Sequence, residues 1–295
     1  MDQKKITPRA IVEWPTFILI TTCYGLWGAA MWWLPTTLAI PCLGVLIAFH
    51  ASLQHEAIHG HPFRWQGLND ALVAAPLALF IPYLRFKATH LAHHSDIRLT
   101  DPFDDPESNF LDPAEWQGLP RALRKILLFN NTLLGRLVLG PVIGVIGFMR
   151  MEWQQRTPTI ARGWLWHIPG VLAVLFVIQA ASFPMWAYLI AVYLGLALLK
   201  LRTFLEHQAH QCAGGRSVII EDRGFFAFLF LNNNLHVVHH MHPKVPWYAL
   251  PDLYLARKDY YQRRNGGYLY RSYGAIMRQY FWKAKDPVAH PLWRR

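Results

Sequence analysis

Long apolar runs limit this chain more than any other feature. Trp14 to Leu34 carries no charged residue, and about twenty such residues span a hydrocarbon core as a helix. A second run, Thr37 to about Leu53, follows the turn residue Pro35. Trp164 to Leu201 continues for about twice the length of one span, with Phe183-Pro184 near its middle as a natural turn. The runs predict an all-α integral membrane protein with four transmembrane helices in two hairpins, at 14–34, 37–54, 164–182 and 184–201. Composition agrees, because only 16% of the residues are charged where a soluble domain carries about a quarter.

Two further apolar stretches fit less simply. Residues 71–84 are too few to span and contain Pro76 and Pro82, which predicts a re-entrant or interfacial segment. Residues 126–149 include Arg136, and an arginine in lipid is costly, so an interfacial helix is expected there.

Basic residues set the orientation, since cytoplasmic flanks collect Lys and Arg. Lys4, Lys5 and Arg9 precede the first run, Lys200 and Arg202 end the last, and the two hairpin turns carry none. Both termini and a His-rich helical cap, residues 55–163 and 202–295, are therefore expected on the cytoplasmic side. With no internal repeat, residues 1–295 read as a single domain. No A-x-A cleavage site follows a short apolar region, so the first run reads as a retained anchor.

Cysteine does not carry the chemistry: Cys23, Cys42 and Cys212 are scattered, with no CxxC spacing. The net charge of +11 is spread along the flanks of apolar segments rather than in an aromatic-interleaved stripe. That pattern suits anionic headgroups and argues against nucleic acid.

Histidine does carry it. Of fifteen histidines, eight fall in three clusters: His55 and His59 in HEAIH, His90, His93 and His94 in HLAHH, and His236, His239 and His240 in HVVHH. Residues three and four apart share a helix face, so each cluster is a preformed partial metal site. One histidine at a membrane boundary is ordinarily an interfacial polar residue. Three clusters with helical spacing point instead to shared coordination, and imidazole suits Fe, Zn, Cu and Ni. Eight donors exceed the four of one tetrahedral zinc, so two metals are expected. His207 in FLEHQAH supplies a ninth donor, with His210 a weaker one. His61, His167, His242 and His290 read as polar residues outside the centre.

The order HxxxH, then HxxHH, then HxxHH after a second hairpin resembles the membrane fatty acid desaturase superfamily, which includes alkane monooxygenases and carotenoid ketolases. HHSDIRLTDPFDDPE and NNNLHVVHHMHPKVPWYALP look like bacterial desaturases, and FLEH is similar to the Glu-His motif of the alkane monooxygenase branch. The resemblance covers roughly residues 40–260. It implies that His55, His59, His90, His93, His94, His207, His236, His239 and His240 ligate two non-haem iron ions, with O2 as cosubstrate. It also implies that Asn232, Asn233 or Asn234 supplies a weaker or water-mediated contact, and a bacterial inner-membrane setting.

A neutral ligand set leaves the metal charge uncompensated, so carboxylates close behind it are expected. Glu56, Asp96, Asp101, Glu206 and Asp222 are the candidates, with Glu206 the strongest. The implied substrate is a lipid or fatty acyl chain reaching the site from the bilayer. The implied reaction is desaturation; hydroxylation, ketone formation or decarboxylation of a hydrocarbon chain would use the same boxes. A histidine-rich metal transporter fits less well, because it would carry its ligands at mid-span. The sequence contains no dinucleotide motif and no iron-sulfur spacing. Electrons are therefore expected from a separate ferredoxin-, rubredoxin- or cytochrome b5-like donor and its reductase. Arg257, Lys258, Arg263 and Arg264 could dock such a donor, or bind headgroups.

Overall fold

The structure is a computed structural model and describes residues 12–95 and 99–292. Its long helices follow the apolar runs. Trp14–Trp33 and Thr36–Ile58 form one hairpin, closed by Leu34 and Pro35. Pro158–Ala180 and Met185–Thr203, joined by a short turn in which Pro184 caps the second arm, form a splayed second hairpin: the first arm packs on Tyr83–Ser95 and the second on Thr36–Ile58 rather than on each other.

Among the described residues three helices are long and apolar enough to cross a membrane: Thr36–Ile58, Pro158–Ala180 and Met185–Thr203. Trp14–Trp33, expected as a fourth span, has the length but is not among them. Trp14, Trp27, Trp32, Trp33, Tyr24 and three threonines dilute its apolar character, and Trp and Tyr favour the interface over the bilayer centre. The second hairpin leaves Trp166, Leu172 and Phe176 at 68%, 60% and 73% exposure. An apolar stripe of that size is normal against lipid and a liability against water.

The hairpins meet where Thr36–Ile58 packs along Met185–Thr203. Small residues make the contact possible: a Cβ on Gly195 would lie 2.7 Å from Ile47 Cγ2 and 2.9 Å from the Gly44 carbonyl oxygen. Close backbone approach at small residues is how membrane helices gain packing energy. Leu43, Ile47, Ala191 and Val192 fill the seam and are buried. Gly195→Val should therefore lower stability by ~1–3 kcal/mol through overpacking, read as a lower melting midpoint in detergent. An unchanged midpoint would mean that the seam yields more than its geometry suggests.

The seam is tied to the cap by hydrogen bonds. Trp27 Nε1 donates to Tyr188 Oη at 3.1 Å, and that hydroxyl donates to the Leu77 carbonyl at 2.7 Å. Residues 71–84, expected as a re-entrant or interfacial segment, are not one continuous helix. After a short helix, Gln66–Leu72, the chain turns inward, with Val73 and Leu77 buried and the Leu79 carbonyl 2.7 Å from His167 Nε2. The stretch with Pro76 and Pro82 is non-helical and packs against Tyr188 and His167.

Residues 126–149 are likewise not one interfacial helix. They belong to Arg121–Asn130, Leu133–Val138 and Gly140–Gln155. Arg136 is buried, donating to the Asn130 carbonyl at 3.0 Å and to Asn131 Oδ1 at 2.9 Å. The guanidinium therefore needs no interface, because protein acceptors satisfy it.

Helix Tyr83–Ser95 carries the second histidine cluster. Arg85 anchors its first turn through a bidentate pair with Glu152, Nε to Oε2 at 2.9 Å and Nη2 to Oε1 at 2.9 Å. Trp164 Nε1 donates to the same carboxylate at 3.0 Å. The third cluster lies on His236–Met241, beside a small parallel sheet pairing Ile219–Ile220 with Leu269–Tyr270. Val237 N donates to the Val218 carbonyl at 3.2 Å, which fixes that helix against the sheet.

Candidate metal centre

Each histidine cluster sits where a helix ends. His55 is in the last turn of Thr36–Ile58 and His59 caps it, so a span-length helix itself delivers the first cluster. His90, His93 and His94 occupy the last two turns of Tyr83–Ser95. His236, His239 and His240 fill the short helix His236–Met241, and His207 follows the end of Met185–Thr203. All nine expected histidines come together.

They do so as two sets. His55, His59, His90, His94 and His239 place one donor atom each within 4.8 Å of one another, and His93, His207, His236 and His240 do the same. His90 and His94, and likewise His236 and His240, are four residues apart and share a face. His93 and His239 join the opposite sets, so each HxxHH box gives two imidazoles to one set and one to the other.

The nitrogens converge closely. Nε2 atoms of His59 and His90 are 3.0 Å apart, His93 and His207 2.9 Å, His207 and His236 3.0 Å, and His94 and His239 3.2 Å. Two ligands held at ~2.1 Å from a metal, ~90° apart, have their nitrogens ~3 Å from each other. His55 Nε2 is buried with no hydrogen-bond partner, and an orphaned buried nitrogen is costly unless something accepts its lone pair. The donor set therefore fits metal ions.

The outer ring nitrogens fix this aim. His90 Nδ1 lies 2.9 Å from Glu107 Oε1 and His93 Nδ1 2.8 Å from Asp105 Oδ1. His236 Nδ1 lies 3.1 Å from Asn233 Oδ1. An acceptor at Nδ1 keeps the proton there and leaves the Nε2 lone pair for the metal. Glu206 Oε1 accepts from Asn233 Nδ2 at 2.8 Å and pairs with Arg202 Nε at 2.9 Å, so it braces His236 through Asn233.

Charge follows from burial and these acids. Burial first, then the neighbouring imidazoles, pulls His94 down to about 3 and His239 and His240 well below the ordinary range. Burial, then the charge on His93, takes His207 down to about 3. These rings are neutral and ready to ligate near neutral pH. His93 differs: burial pushes it down, but the Glu107 charge and the Asp105 hydrogen bond outweigh that and raise it to about 9.

Sequence reasoning missed Asp105 and Glu107, although both stand in DPFDDPE directly after the second box. Of the acids it named that lie among the described residues, Glu206 alone joins the network around the metal-set histidines. Glu56 Oε2 accepts from Trp247 N at 3.1 Å, Asp101 Oδ1 from Phe103 N at 2.9 Å, and Asp222 Oδ1 from Gly224 N at 2.6 Å. These bonds stabilise backbone turns and termini. Asp96 lies outside the described residues. Asn233 Oδ1 lies 3.1 Å from His236 Nδ1 and so orients that ring.

The other six histidines have their own partners. His50 meets Tyr24, His61 meets Glu13, His167 the Leu79 carbonyl, and His210 the backbone of Cys212. His242 meets Tyr261 and His290 meets Thr100.

Removing an acceptor behind a ligand should loosen the metal without unfolding the chain. Asp105→Asn should weaken metal affinity ~10–100-fold, measured by chelator competition on the purified protein. Undiminished affinity would make Asp105 a bystander.

Span-length apolar helices joined to a cap that gathers imidazoles into two donor sets define a class: integral membrane proteins with a polyhistidine metal centre. Residues 31–272 match the fatty acid desaturase family, and the chain belongs to that family. No curated protein matches it.

Proposed function

We propose that the chain is an O2-dependent di-iron oxidase that introduces a double bond into a fatty acyl chain. The observation that carries this reading is the division of nine imidazoles into sets of five and four at helix ends, within a fatty acid desaturase family chain. Five donors exceed what four-coordinate zinc accepts, whereas imidazole also suits iron. When bound, the iron pair supplies the oxidising power to take hydrogen from an unactivated C–H bond with O2 and two electrons.

The chain's own residues hold that chemistry in place. His55, His59, His90, His94 and His239 ligate one iron; His93, His207, His236 and His240 ligate the other. Asp105, Glu107 and Asn233 hold the rings behind them in the ligating tautomer, and Glu206 holds Asn233. Trp14–Trp33 crosses as the fourth span beside Thr36–Ile58, its tryptophans at the two interfaces. Both termini and the centre face the cytoplasm, as the basic flanks indicate. The substrate is a lipid-borne acyl chain that reaches the centre from the bilayer. A transporter would hold its ligands at mid-span, whereas these lie at helix ends and in the cap.

The test is expression in a host of known lipid profile, followed by mass spectrometry of total fatty acids and hydrocarbons beside a His93→Ala control. A wild-type species lighter by two hydrogens is expected. A species heavier by one oxygen, or a shortened alkene, would instead make this a hydroxylase, ketolase or decarboxylase on the same scaffold.

A further inference from the structure

We propose that residues 281–290 form a strap over the metal centre, in which Lys285 positions ligand His207. The inference rests on the ligand assignment of the oxidase reading. It extends that assignment to a part of the chain beyond residue 272, where the family match ends.

His207 needs outside help to hold its aim. The other eight ligating histidines lie on a helix or directly cap one, whereas His207 follows the end of Met185–Thr203 in irregular chain. A backbone bridge to Ser217 steadies one side, with Gln208 N donating to the Arg216 carbonyl at 2.9 Å. The ring Nδ1 meets a hydroxyl, Ser217 Oγ, at 3.3 Å, where His90 and His93 have carboxylates at 2.9 and 2.8 Å. Lys285 holds the other side: its ammonium donates to the His207 carbonyl at 2.8 Å.

That ammonium is no surface group. The Lys285 side chain is 6% exposed and pairs with the Asp286 carboxylate, and it stands 5.7 Å from the centre of the Tyr268 ring. The Tyr268 hydroxyl donates in turn to the Leu205 carbonyl at 2.8 Å, two residues before His207. Hydrogen bonds with a charged donor are shorter and stronger than neutral ones. This one therefore fixes the backbone from which the His207 imidazole reaches the metal.

The same strap closes on the acids behind the second cluster. Residues 100–111 carry Asp105 and Glu107, the Nδ1 acceptors of His93 and His90. The strap grips that loop at both ends. His290 Nε2 lies 3.2 Å from Thr100 Oγ1, Leu111 N donates to the Val288 carbonyl at 2.9 Å, and His290 N returns a bond to the Leu111 carbonyl at 2.9 Å. Val288 is buried, and Lys285 N donates to the Asn131 carbonyl at 3.0 Å. Lys285 and Asp286 line one cavity with Asp105, Glu107 and His207. A loop with few bonds of its own opens readily. Pinned at Thr100 and Leu111, it keeps both acceptors on their rings, and partners of that kind set metal affinity.

The test uses the purified full chain in detergent, loaded with ferrous iron without O2, and follows iron by chelator competition. Lys285→Met should keep one iron at wild-type affinity. The other, held by His93, His207, His236 and His240, should bind at least tenfold more weakly, ~1.4 kcal/mol. The metal-free melting midpoint should match wild type. Coupling is reciprocal, so a strap that holds the metal is itself held by it. In wild type, hydrogen exchange at the amides of Leu111, Lys285 and His290 should therefore slow when iron binds. This second measurement needs no variant and decides the matter even where Lys285→Met folds poorly. Wild-type affinity at both sites in Lys285→Met, equal weakening at both with a lowered metal-free midpoint, or exchange unchanged by iron overturns the strap. None of these readouts needs turnover. A wild-type chain that binds no iron overturns the ligand assignment and the strap with it, whereas absent lipid products with iron bound and the strap protected would overturn the oxidase reading alone.

Discussion

His93→Ala and His239→Ala should each abolish product formation, and each should cost the protein chiefly the metal of its own set. His239 belongs with His55, His59, His90 and His94, and His93 with His207, His236 and His240. Losing one imidazole from a set of four or five opens the coordination shell and leaves a buried cavity beside a cation. The other set keeps all its donors, so partial metal retention is the expected signature. Insertion should survive, because the spans assemble through apolar packing such as the Gly44 and Gly195 seam rather than through the metal. Elemental analysis of both purified variants checks this, and full metal retention in both would sink the ligand assignment.

The second large effect concerns stability. Glu152→Ala leaves the Arg85 guanidinium buried without its carboxylate and takes away the acceptor of Trp164 Nε1. Breaking a buried pair from one side costs ~3–5 kcal/mol, so a large drop in the melting midpoint in detergent is expected. The double variant Arg85→Met with Glu152→Leu removes both charges and should recover most of the loss. Helix Tyr83–Ser95 carries three ligands downstream of Arg85, so the single variant should also lose metal. A Glu152→Ala protein that melts like wild type would show that the pair holds nothing in place.

Much of this was legible in the residues. Apolar runs gave the hairpins within a few positions, because a span must be long and uncharged whatever its partners. The nine histidines were legible because helical spacing is local. Their division into sets was not: whether His93 sides with His90 or with His207 depends on where Met185–Thr203 ends relative to Tyr83–Ser95, a long-range fact. Asp105 and Glu107 were missed for the same reason. Both stand in an irregular segment, and a turn held by Asp101 and Asp105 folds them back onto His90 and His93. Arg136 misled the reading of residues 126–149, since its acceptors Asn130 and Asn131 are close in sequence but become acceptors only when the helix breaks there.

The measurement that bears most directly on the central claim is the metal content of the full chain, purified in mild detergent after growth with ample iron and zinc. Two irons per chain and little zinc are expected, because two imidazole sets each close around their own ion. One metal per chain, none, or a full complement of zinc would contradict it.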